Sequence, residues 1–404
     1  MHVILVQLAL ILIIAKISGE LCERWLKQPA VLGELVGGVL IGQSVLGWIP
    51  GEDVFLHQLA EIGAVLLLFE IGLESNLDDL FKVGKQALWV AFAGVVLPFV
   101  FGYFVAHALG RTVMEAIFVG AAMTATSVGI TARVFTDLKS LHTKEARIVL
   151  GAAVVDDVIG LIILAVVSGM AVTKVISWSA VGLQTFMALV FLVGAIVIGV
   201  RATPFLLHWA RKMQTRAALS SSAVIFCFLL SALAEMVQLA PIVGAFAAGL
   251  VLDKTDDKVH IEQKIKSLAD LFVPVFFVMV GARMDAQMFN PATASGRTTL
   301  ILGGVLLVIA VLGKMLGGIS VPGKGLKRLT IGVGMIPRGE VGLIFANMGL
   351  SSRVIDNSLY AAIIFVVITT TFMTPPLLKW LVSQHRPKGG QPAETHSTPV
   401  VEVV

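Results

Sequence analysis

The stretch GVGMIPRGEVG, from Gly332 to Gly342, interrupts an apolar segment that is otherwise long enough to cross a membrane. Pro337 removes a backbone donor, and the neighbouring glycines weaken helical structure around it. Arg338 and Glu340 add two charges at the same place. A second apolar segment is interrupted in the same way by TATSVGITAR, from Thr124 to Arg133. Paired interrupted helices of this kind are typical of secondary transporters, in which half-helix ends face an ion near the middle of the bilayer.

The composition of the chain requires a membrane. Of its 404 residues, 57% are hydrophobic and 14% are charged, whereas average soluble domains contain about 25% charged residues. The two cysteines, Cys22 and Cys227, lie far apart and indicate neither a disulfide nor a metal site. The eight histidines show no ligand spacing, so the pattern does not indicate a metal enzyme. We expect no cofactor.

Thirteen segments satisfy the rule that a bilayer core takes about 20 apolar residues per helix. They run approximately over 2–17, 29–49, 56–73, 86–109, 113–133, 146–170, 178–200, 218–237, 240–252, 267–282, 298–320, 328–350 and 358–382. The polar tail at 385–404 is rich in Pro and Gly over most of its length, and we expect it to be a disordered end rather than a domain.

The basic residues predict the orientation of these spans. Most of the 30 Lys and Arg residues lie in alternate loops, beginning with the loop after the first span. Because loops that are rich in Lys and Arg stay in the cytoplasm, we expect the N-terminus outside and the C-terminus inside. The chain is predicted to be a multi-pass membrane protein.

The spans also show an internal repeat. PAVLGELVGG at Pro29 resembles PIVGAFAAG at Pro241, and LLLFEIGLE around Gly72 resembles FFVMVGARMD around Gly281, at nearly the same offset. The members of each pair lie seven spans apart, an odd number, so the copies face opposite ways across the membrane. Such inverted repeats are a mark of secondary transporters. The halves are spans one to six and eight to thirteen, with span seven as a linker.

Two adjacent acids, Asp156 and Asp157, lie inside the sixth span, in GAAVVDDVIGLIIL. A carboxylate at the bilayer centre costs about 2.5–3.5 kcal/mol on insertion scales, and such groups are by default functional. Measured from the same side of the membrane, Asp156 lies about 15 Å deep and Lys314 about 9 Å deep. An extended lysine side chain can span the difference of about 6 Å, so it can reach one of the two acids. A purely structural salt bridge would leave the second acid unpaired. We therefore expect one acid to pair with Lys314 and the other to bind Na⁺ or a proton.

The polar residues at the two interruptions are interpreted as support for this site. The hydroxyls of Thr126, Ser127 and Thr131 are predicted to stabilise an unwound turn. Arg338 and Glu340 are interpreted as structural charges that offset helix-end dipoles and pair with each other or with another interior charge.

Five motifs in chain order resemble the bacterial cation:proton antiporter superfamily, and most closely its NapA-type Na⁺/H⁺ antiporters. They are ATSVGITAR at 125–133, GAAVVDDVIGLI at 151–162, APIVGAFAAG at 240–249, LGKMLGG at 312–318 and GVGMIPRGEVGLI at 332–344. The resemblance covers nearly all the spans. It implies an all-α integral membrane protein with thirteen transmembrane helices, inverted-topology repeats and two crossed discontinuous helices, which is the Na⁺/H⁺ antiporter fold.

The resemblance also implies roles for single residues. By its position in the motif, Asp157 corresponds to the family's principal carrier of ion and proton. Asp156 corresponds in the same way to the partner of Lys314. Thr126 and Ser127 resemble supporting Na⁺ ligands beside Asp157.

The resemblance further implies a division into domains and a homodimer in which a core domain moves against a dimerisation domain like an elevator. Applied to this chain, the predicted parts are the dimerisation domain at 1–82 and 205–290, the core ion-transport domain at 83–172 and 291–384, the linker helix at 173–204 and the tail at 385–404.

The sequence therefore predicts an electrogenic antiporter, not an enzyme, that exchanges intracellular Na⁺, and by extension Li⁺, for external H⁺ in sodium and pH homeostasis. A K⁺/H⁺ antiporter on the same scaffold is the alternative function, although potassium-efflux relatives usually lack the paired aspartates. A distant alternative is an intramembrane aspartyl protease, which would need two carboxylates that face each other. The expected partners are a second copy of the chain, membrane lipid, protons and monovalent cations, with no nucleic acid.

Overall fold

The computed structural model describes residues 2–50, 53–173, 178–213, 217–253, 255, 258–283 and 294–384, and every regular element in these ranges is a helix. In chain order the helices are α1 His2–Arg24, α2 Ala30–Ile41, α3 Val54–Glu74, α4 Leu77–Lys82, α5 Gly84–Ala108, α6 Val113–Ala122, α7 Val128–Asp137, α8 Lys144–Thr173, α9 Trp178–Lys212, α10 Ala218–Met236, α11 Pro241–Leu252, α12 Lys258–Ala282, α13 Ala294–Ile319, α14 Arg328–Gly334, α15 Glu340–Ser351 and α16 Asn357–Ser383. The predicted tail at 385–404 lies outside the described residues.

Each predicted span corresponds to one helix, except the fifth and the twelfth, which are each divided into two. The fifth is α6 followed by α7, and the twelfth is α14 followed by α15. Eight of the helices within the described ranges are long and apolar enough to cross a bilayer by themselves. The all-helical membrane fold predicted from the sequence is confirmed.

Several helix ends lie beyond the predicted borders. Helix α1 continues to Arg24, α9 continues through Pro204 to Lys212, and α12 begins at Lys258. A hydropathy window stops at the first polar residues, but the helical hydrogen bonds continue into water, so these helices extend past the apolar run. The predicted boundary at 204 between linker and dimerisation domain therefore falls inside α9.

The order of elements repeats between the two halves of the chain. Helices α2 and α11 both contain 12 residues, and both are followed by a long helix, α3 and α12. The interrupted pair α6–α7 lies between α5 and α8, and the interrupted pair α14–α15 lies between α13 and α16. This is the element order that the predicted internal repeat requires.

The helices pack as two groups. Helices α1–α3 pack against α10–α12, and we call this group bundle one. Helices α5–α8 pack against α13–α16, and we call this group bundle two. Between the bundles, α7 contacts α2 and α3, and α16 contacts α2, while α9 packs against α8, α10 and α11. The assignment of these groups to a dimerisation domain and a core domain stays a prediction.

An ion cluster joins two loops at one end of bundle two. Arg111 donates to Glu115 over 3.1 Å and to Asp356 over 2.6 Å. Glu115 and Thr112 form a capping box at the start of α6, and Asp356 caps α16 by accepting from Leu359 N–H. Burial alone would raise the pKa of the Asp356 carboxyl, but the hydrogen bonds and the charge of Arg111 hold it below its usual value. One guanidinium thus holds the starts of both helices together.

Helices α13 and α14 approach each other at two glycines. A Cβ atom placed on Gly318 would lie 2.3 Å from both Cα and N of Gly332. Both of those atoms belong to the backbone, so no change of rotamer could relieve the overlap. Gly304, in the same helix, has open space where its Cβ would be.

Gly318→Ala is therefore expected to force α13 and α14 apart and to lower the free energy of unfolding by about 1–3 kcal/mol. Gly304→Ala is the matched control, and since Ala favours a helix over Gly, its stability should equal or exceed that of the wild type. The measurement is thermal unfolding of both variants in the same detergent, followed by tryptophan fluorescence. Equal melting temperatures for the two variants would contradict the close approach.

Candidate ion site at the crossing of two broken helices

The two interrupted spans break at short segments that touch each other. The first break comprises residues 123–127, between α6 and α7, and the second comprises residues 335–339, between α14 and α15. The backbone N–H of Ser127 donates to the carbonyl of Pro337 over 2.8 Å. A Cβ atom on Gly339 would lie 2.8 Å from the Cβ of Ser127, so only glycine fits at this position. The two breaks cross at this contact, and four helix ends meet around it.

Arg338 satisfies backbone carbonyls at the crossing. Its side chain is fully buried, and its NH1 donates to the carbonyl of Ala125 over 2.7 Å. Its NH2 donates to the carbonyl of Ala310 in α13 over 3.1 Å. Unwound backbone at membrane depth needs partners inside the protein because lipid offers none. Arg338 supplies a partner for Ala125, and its second bond connects the breaks to α13.

The backbone of Arg338 is held by two threonines of α16. Its N–H donates to the hydroxyl of Thr370 over 3.2 Å, and its carbonyl accepts from the hydroxyl of Thr371 over 3.2 Å. Arg338 was predicted to be a structural charge that pairs with another charge, and the bonds described here join it to carbonyls and hydroxyls. The side chain of Glu340, its other predicted partner, lies outside the described residues.

Asp156 and Lys314 are in direct contact beneath the crossing. Lys314 Nζ donates to Asp156 Oδ2 over 2.7 Å, and the exposed fractions of the two side chains are 0% and 1%. The hydroxyl of Thr126, in the first break, donates to the same oxygen over 2.6 Å. The other carboxylate oxygen, Oδ1, is buried and has no hydrogen-bond partner among the described residues. Gly94 in α5 lies beside the lysine, and a Cβ atom there would be in ordinary contact with Lys314 Nζ, at 3.4 Å.

Asp157 has different surroundings from its neighbour. It is half-buried, and it lines a cavity of about 10 Å³ between α3, α7, α8 and α11, which is room for about one water molecule. The other lining residues are apolar and come from both bundles: Leu68, Val128, Leu150, Val154, Ile242, Val243 and Phe246. Adjacent helical residues point about 100° apart, so one acid faces into bundle two and the other faces the boundary between the bundles.

The remaining predicted site residues take two kinds of position. Ser127 and Pro337 lie in the breaks, as described. Thr131 was expected to support an unwound turn, but it lies within α7, where its hydroxyl donates to the carbonyl of Gly334 over 2.7 Å. That bond ties α7 to the last residue of α14, so Thr131 supports the break from a neighbouring helix.

Two features of the site were not found from the sequence. The Ser127–Pro337 backbone bond and the carbonyl partners of Arg338 both join residues that are distant in the chain. The available signal was the position of Arg338 directly after a helix-breaking proline, since a guanidinium has five donors and suits a cluster of free carbonyls. Within the described residues, no group of three or more His, Cys, Asp and Glu side chains could hold a metal ion.

The arrangement can perform one kind of chemistry well. The Asp156–Lys314 pair is neutral overall and enclosed, and its geometry is fixed by Thr126. Asp157 places a second carboxylate at the edge of a small cavity, where a hard oxygen ligand can take a proton or a small cation. A group with two mutually exclusive ligands is what an exchanger needs.

Comparison with known proteins identifies the family. Residues 9–384 match the family model for the sodium/hydrogen exchanger, transmembrane. The high-affinity Na⁺/H⁺ antiporter NhaS3 of Synechocystis is 43% identical to the chain, and the alignment covers 93% of this chain and 89% of NhaS3. The Na⁺/H⁺-K⁺ antiporter GerN of Bacillus cereus is 38% identical, with 93% of this chain and 95% of GerN covered.

A solved structure has the same fold. The sodium proton antiporter MjNhaP1 from Methanocaldococcus jannaschii superposes with a TM-score of 0.71 at 18% identity, over 97% of this chain and 100% of that one. At this identity the likeness concerns the fold alone. The similar proteins are named as transporters rather than enzymes. Because the family model matches nearly all the spans, the chain belongs to the sodium/hydrogen exchanger family.

Proposed function

We propose that the protein is an electrogenic antiporter that expels Na⁺, and by the same chemistry Li⁺, in exchange for external protons. The observation that supports this proposal best is the difference between the two adjacent acids. Asp156 is bonded to Lys314 and Thr126 inside bundle two, while Asp157 faces a cavity lined by both bundles. One acid is held by two bonds, and the other is half-buried at the edge of that cavity.

In the proposed cycle, Asp157 binds either Na⁺ or a proton. A carboxylate oxygen is a hard ligand, and the break at residues 123–127 offers further oxygens nearby. We infer that Thr126 and Ser127 help to coordinate the cation, Thr126 by releasing its bond to Asp156. No cofactor takes part in this scheme.

The Asp156–Lys314 pair supplies the second proton of the cycle. When external protons are abundant, a proton on Asp156 breaks the pair while another occupies Asp157. When both protons leave on the cytoplasmic side, the pair forms again and Na⁺ binds Asp157. Two protons then enter for each Na⁺ that leaves. The net charge moved gains about 2.3 kcal/mol for each 100 mV of membrane potential.

Alternating access would come from movement of bundle two against bundle one. Asp157 lies at the boundary of the bundles, so a shift of bundle two would move it toward one side of the membrane or the other. We assign bundle one to the predicted dimerisation domain, through which two copies form a homodimer in the lipid bilayer. Bundle two is then the core that moves like an elevator.

The proposed orientation places the N-terminus outside the cell and the C-terminus in the cytoplasm of a bacterium. Its basis is the clustering of Lys and Arg in alternate loops. Lys264 is exposed near the start of α12. A cysteine at this position should react with an impermeant reagent in inside-out vesicles, and reaction in intact cells would reverse the assignment.

The identity of the cation has one competing candidate, K⁺. GerN, a relative at 38% identity, is named as a Na⁺/H⁺-K⁺ antiporter. Dequenching of a pH dye in proteoliposomes, with Na⁺, Li⁺ and K⁺ added in turn, distinguishes the two ions. The protease alternative is weaker, because the two carboxylates of this site belong to one helix and only Asp157 lines the cavity.

Asp157→Asn is expected to abolish exchange while the protein still folds, since Asn keeps the size of the side chain but binds neither a proton nor Na⁺ as a charged ligand. We expect Na⁺-driven proton movement in proteoliposomes to fall by roughly 100-fold or more, to background. Asp79→Asn is the matched control, because Asp79 pairs with Lys82 and Arg147 outside the site. Substantial Na⁺-dependent proton flux in Asp157→Asn would remove Asp157 from the carrier role.

Lys314→Gln is expected to leave the buried Asp156 without its charged partner and to lower stability by about 3–5 kcal/mol. If the variant transports, it should move one fewer proton per cycle and approach electroneutral exchange. The measurement is transport current on a solid-supported membrane beside dye-detected proton flux from the same preparation. Lys82→Gln, which changes an exposed lysine, is the control. If the ratio of current to proton flux in Lys314→Gln equals that of the wild type, Lys314 has a structural role only.

A further inference from the structure

Arg133 lies at the boundary of the two bundles, away from the ion site. It belongs to α7, the part of bundle two that contacts α2 and α3 of bundle one. Its side chain is 16% exposed, and its Nε lies 3.0 Å from Asp137 Oδ1, one turn further along the same helix. Arg133 has no part in the proposed transport cycle.

Besides Asp137 of its own helix, the charges that act on Arg133 come from the opposite bundle. Glu34 of α2, Glu70 of α3 and Asp270 of α12 lie close enough to interact with it electrostatically. Glu34 and Glu70 are 4% and 5% exposed, and Glu34 Oε2 is buried with no hydrogen-bond partner in the part of the chain that the structure describes. A buried carboxylate needs compensation from an opposite charge, and the attraction is stronger where water is excluded.

The other charges near these acids do not link the bundles. Lys16 and Glu23 of α1 lie near Glu34 and belong to bundle one. Lys266 of α12 and Glu74 of α3 lie near Glu70 and also belong to bundle one. Asp137, near Glu34, belongs to bundle two but repels it. Arg133 is therefore the cation of bundle two that attracts both buried acids of bundle one within the described residues.

We propose that Arg133 is a positioning residue. By attracting Glu34 and Glu70, it holds α7 against bundle one. This attraction stabilises the present conformation and so sets the fraction of molecules that adopt it. The inference rests on the proposed function in one respect, namely that the two bundles move relative to each other. If bundle two shifts, Arg133 leaves the acids, and the lost attraction opposes the shift. We call the attraction of Arg133 to Glu34 and Glu70 the electrostatic latch. Weakening it should raise the population of other conformations.

The test uses spin labels on the full chain in detergent and in lipid. One label is placed at Ser267, exposed on α12 of bundle one, and the other at Lys144, exposed at the start of α8 of bundle two. The natural Cys22 and Cys227 are buried and stay in place. Pulsed dipolar spectroscopy then gives the distribution of distances between the bundles for the wild type, Arg133→Gln, Arg133→Lys, Glu34→Gln and Glu70→Gln.

In Arg133→Gln we expect the ratio of other distances to the main distance to rise about fivefold, a typical size for coupling between parts of a protein. Glu34→Gln and Glu70→Gln should each produce a smaller change in the same direction. Arg133→Lys keeps the charge and should restore most of the wild-type distribution. The double variant Arg133→Gln/Glu34→Gln should add little to Arg133→Gln alone, because the two residues share one interaction.

The control is Arg147→Gln, which removes a guanidinium from α8 that bonds to Asp79, outside bundle one. Its distance distribution should match that of the wild type. Unchanged distributions in Arg133→Gln and Glu34→Gln would overturn the latch, and so would an equal change in Arg147→Gln. Should Arg133→Gln not fold, Glu34→Gln and Arg133→Lys still decide the question. Failure of the proposed function is seen separately, as absence of cation-driven proton flux in the wild type.

Discussion

The ion pair between Lys314 and Asp156 is the interaction on which the rest of the site depends. Its two charged groups are 2.7 Å apart, and water reaches neither. Removing one partner of such a pair leaves an uncompensated charge, so the surrounding structure must keep both in place. Thr126 fixes the carboxylate from the first break, and Gly94 lies beside the lysine. With Asp156 held in this way, Asp157 must point elsewhere, toward the boundary of the bundles.

The second constraint is that unwound backbone inside a membrane needs partners within the protein. The two breaks meet this constraint partly by bonding to each other, through Ser127 and Pro337. Arg338 provides another partner by donating to a carbonyl of the first break, and it also donates to a carbonyl of α13. A charged side chain thus stabilises the crossing without facing the cavity. The same geometry brings Thr126 beside Asp156, so the crossing and the ion pair support each other.

The parts of the fold that depend on local sequence could be predicted, and the parts that depend on distant contacts could not. Hydropathy located the spans, and Pro337 with its neighbouring glycines located one break. The depths of Asp156 and Lys314 predicted that they lie within reach, and the 100° between adjacent residues predicted that Asp157 faces elsewhere. Thr131 was predicted to stabilise an unwound turn, and it lies not in the turn but in α7, which begins at Val128, directly after the first break. The charges of the opposite bundle around Arg133 come from three helices that are distant from it in the chain, and no local sequence pattern indicates that they lie together.

The proposed mechanism depends on competition between Na⁺ and protons for Asp157, the acid that does not pair with Lys314. The most direct test is the number of protons released when Na⁺ is added to the purified protein in weakly buffered detergent solution. The account predicts that Na⁺ binding releases protons from the wild type, that release falls as the starting pH rises and Asp157 is already ionised, and that Asp157→Asn releases none. Na⁺ binding without proton release in the wild type, or undiminished release in Asp157→Asn, would contradict it.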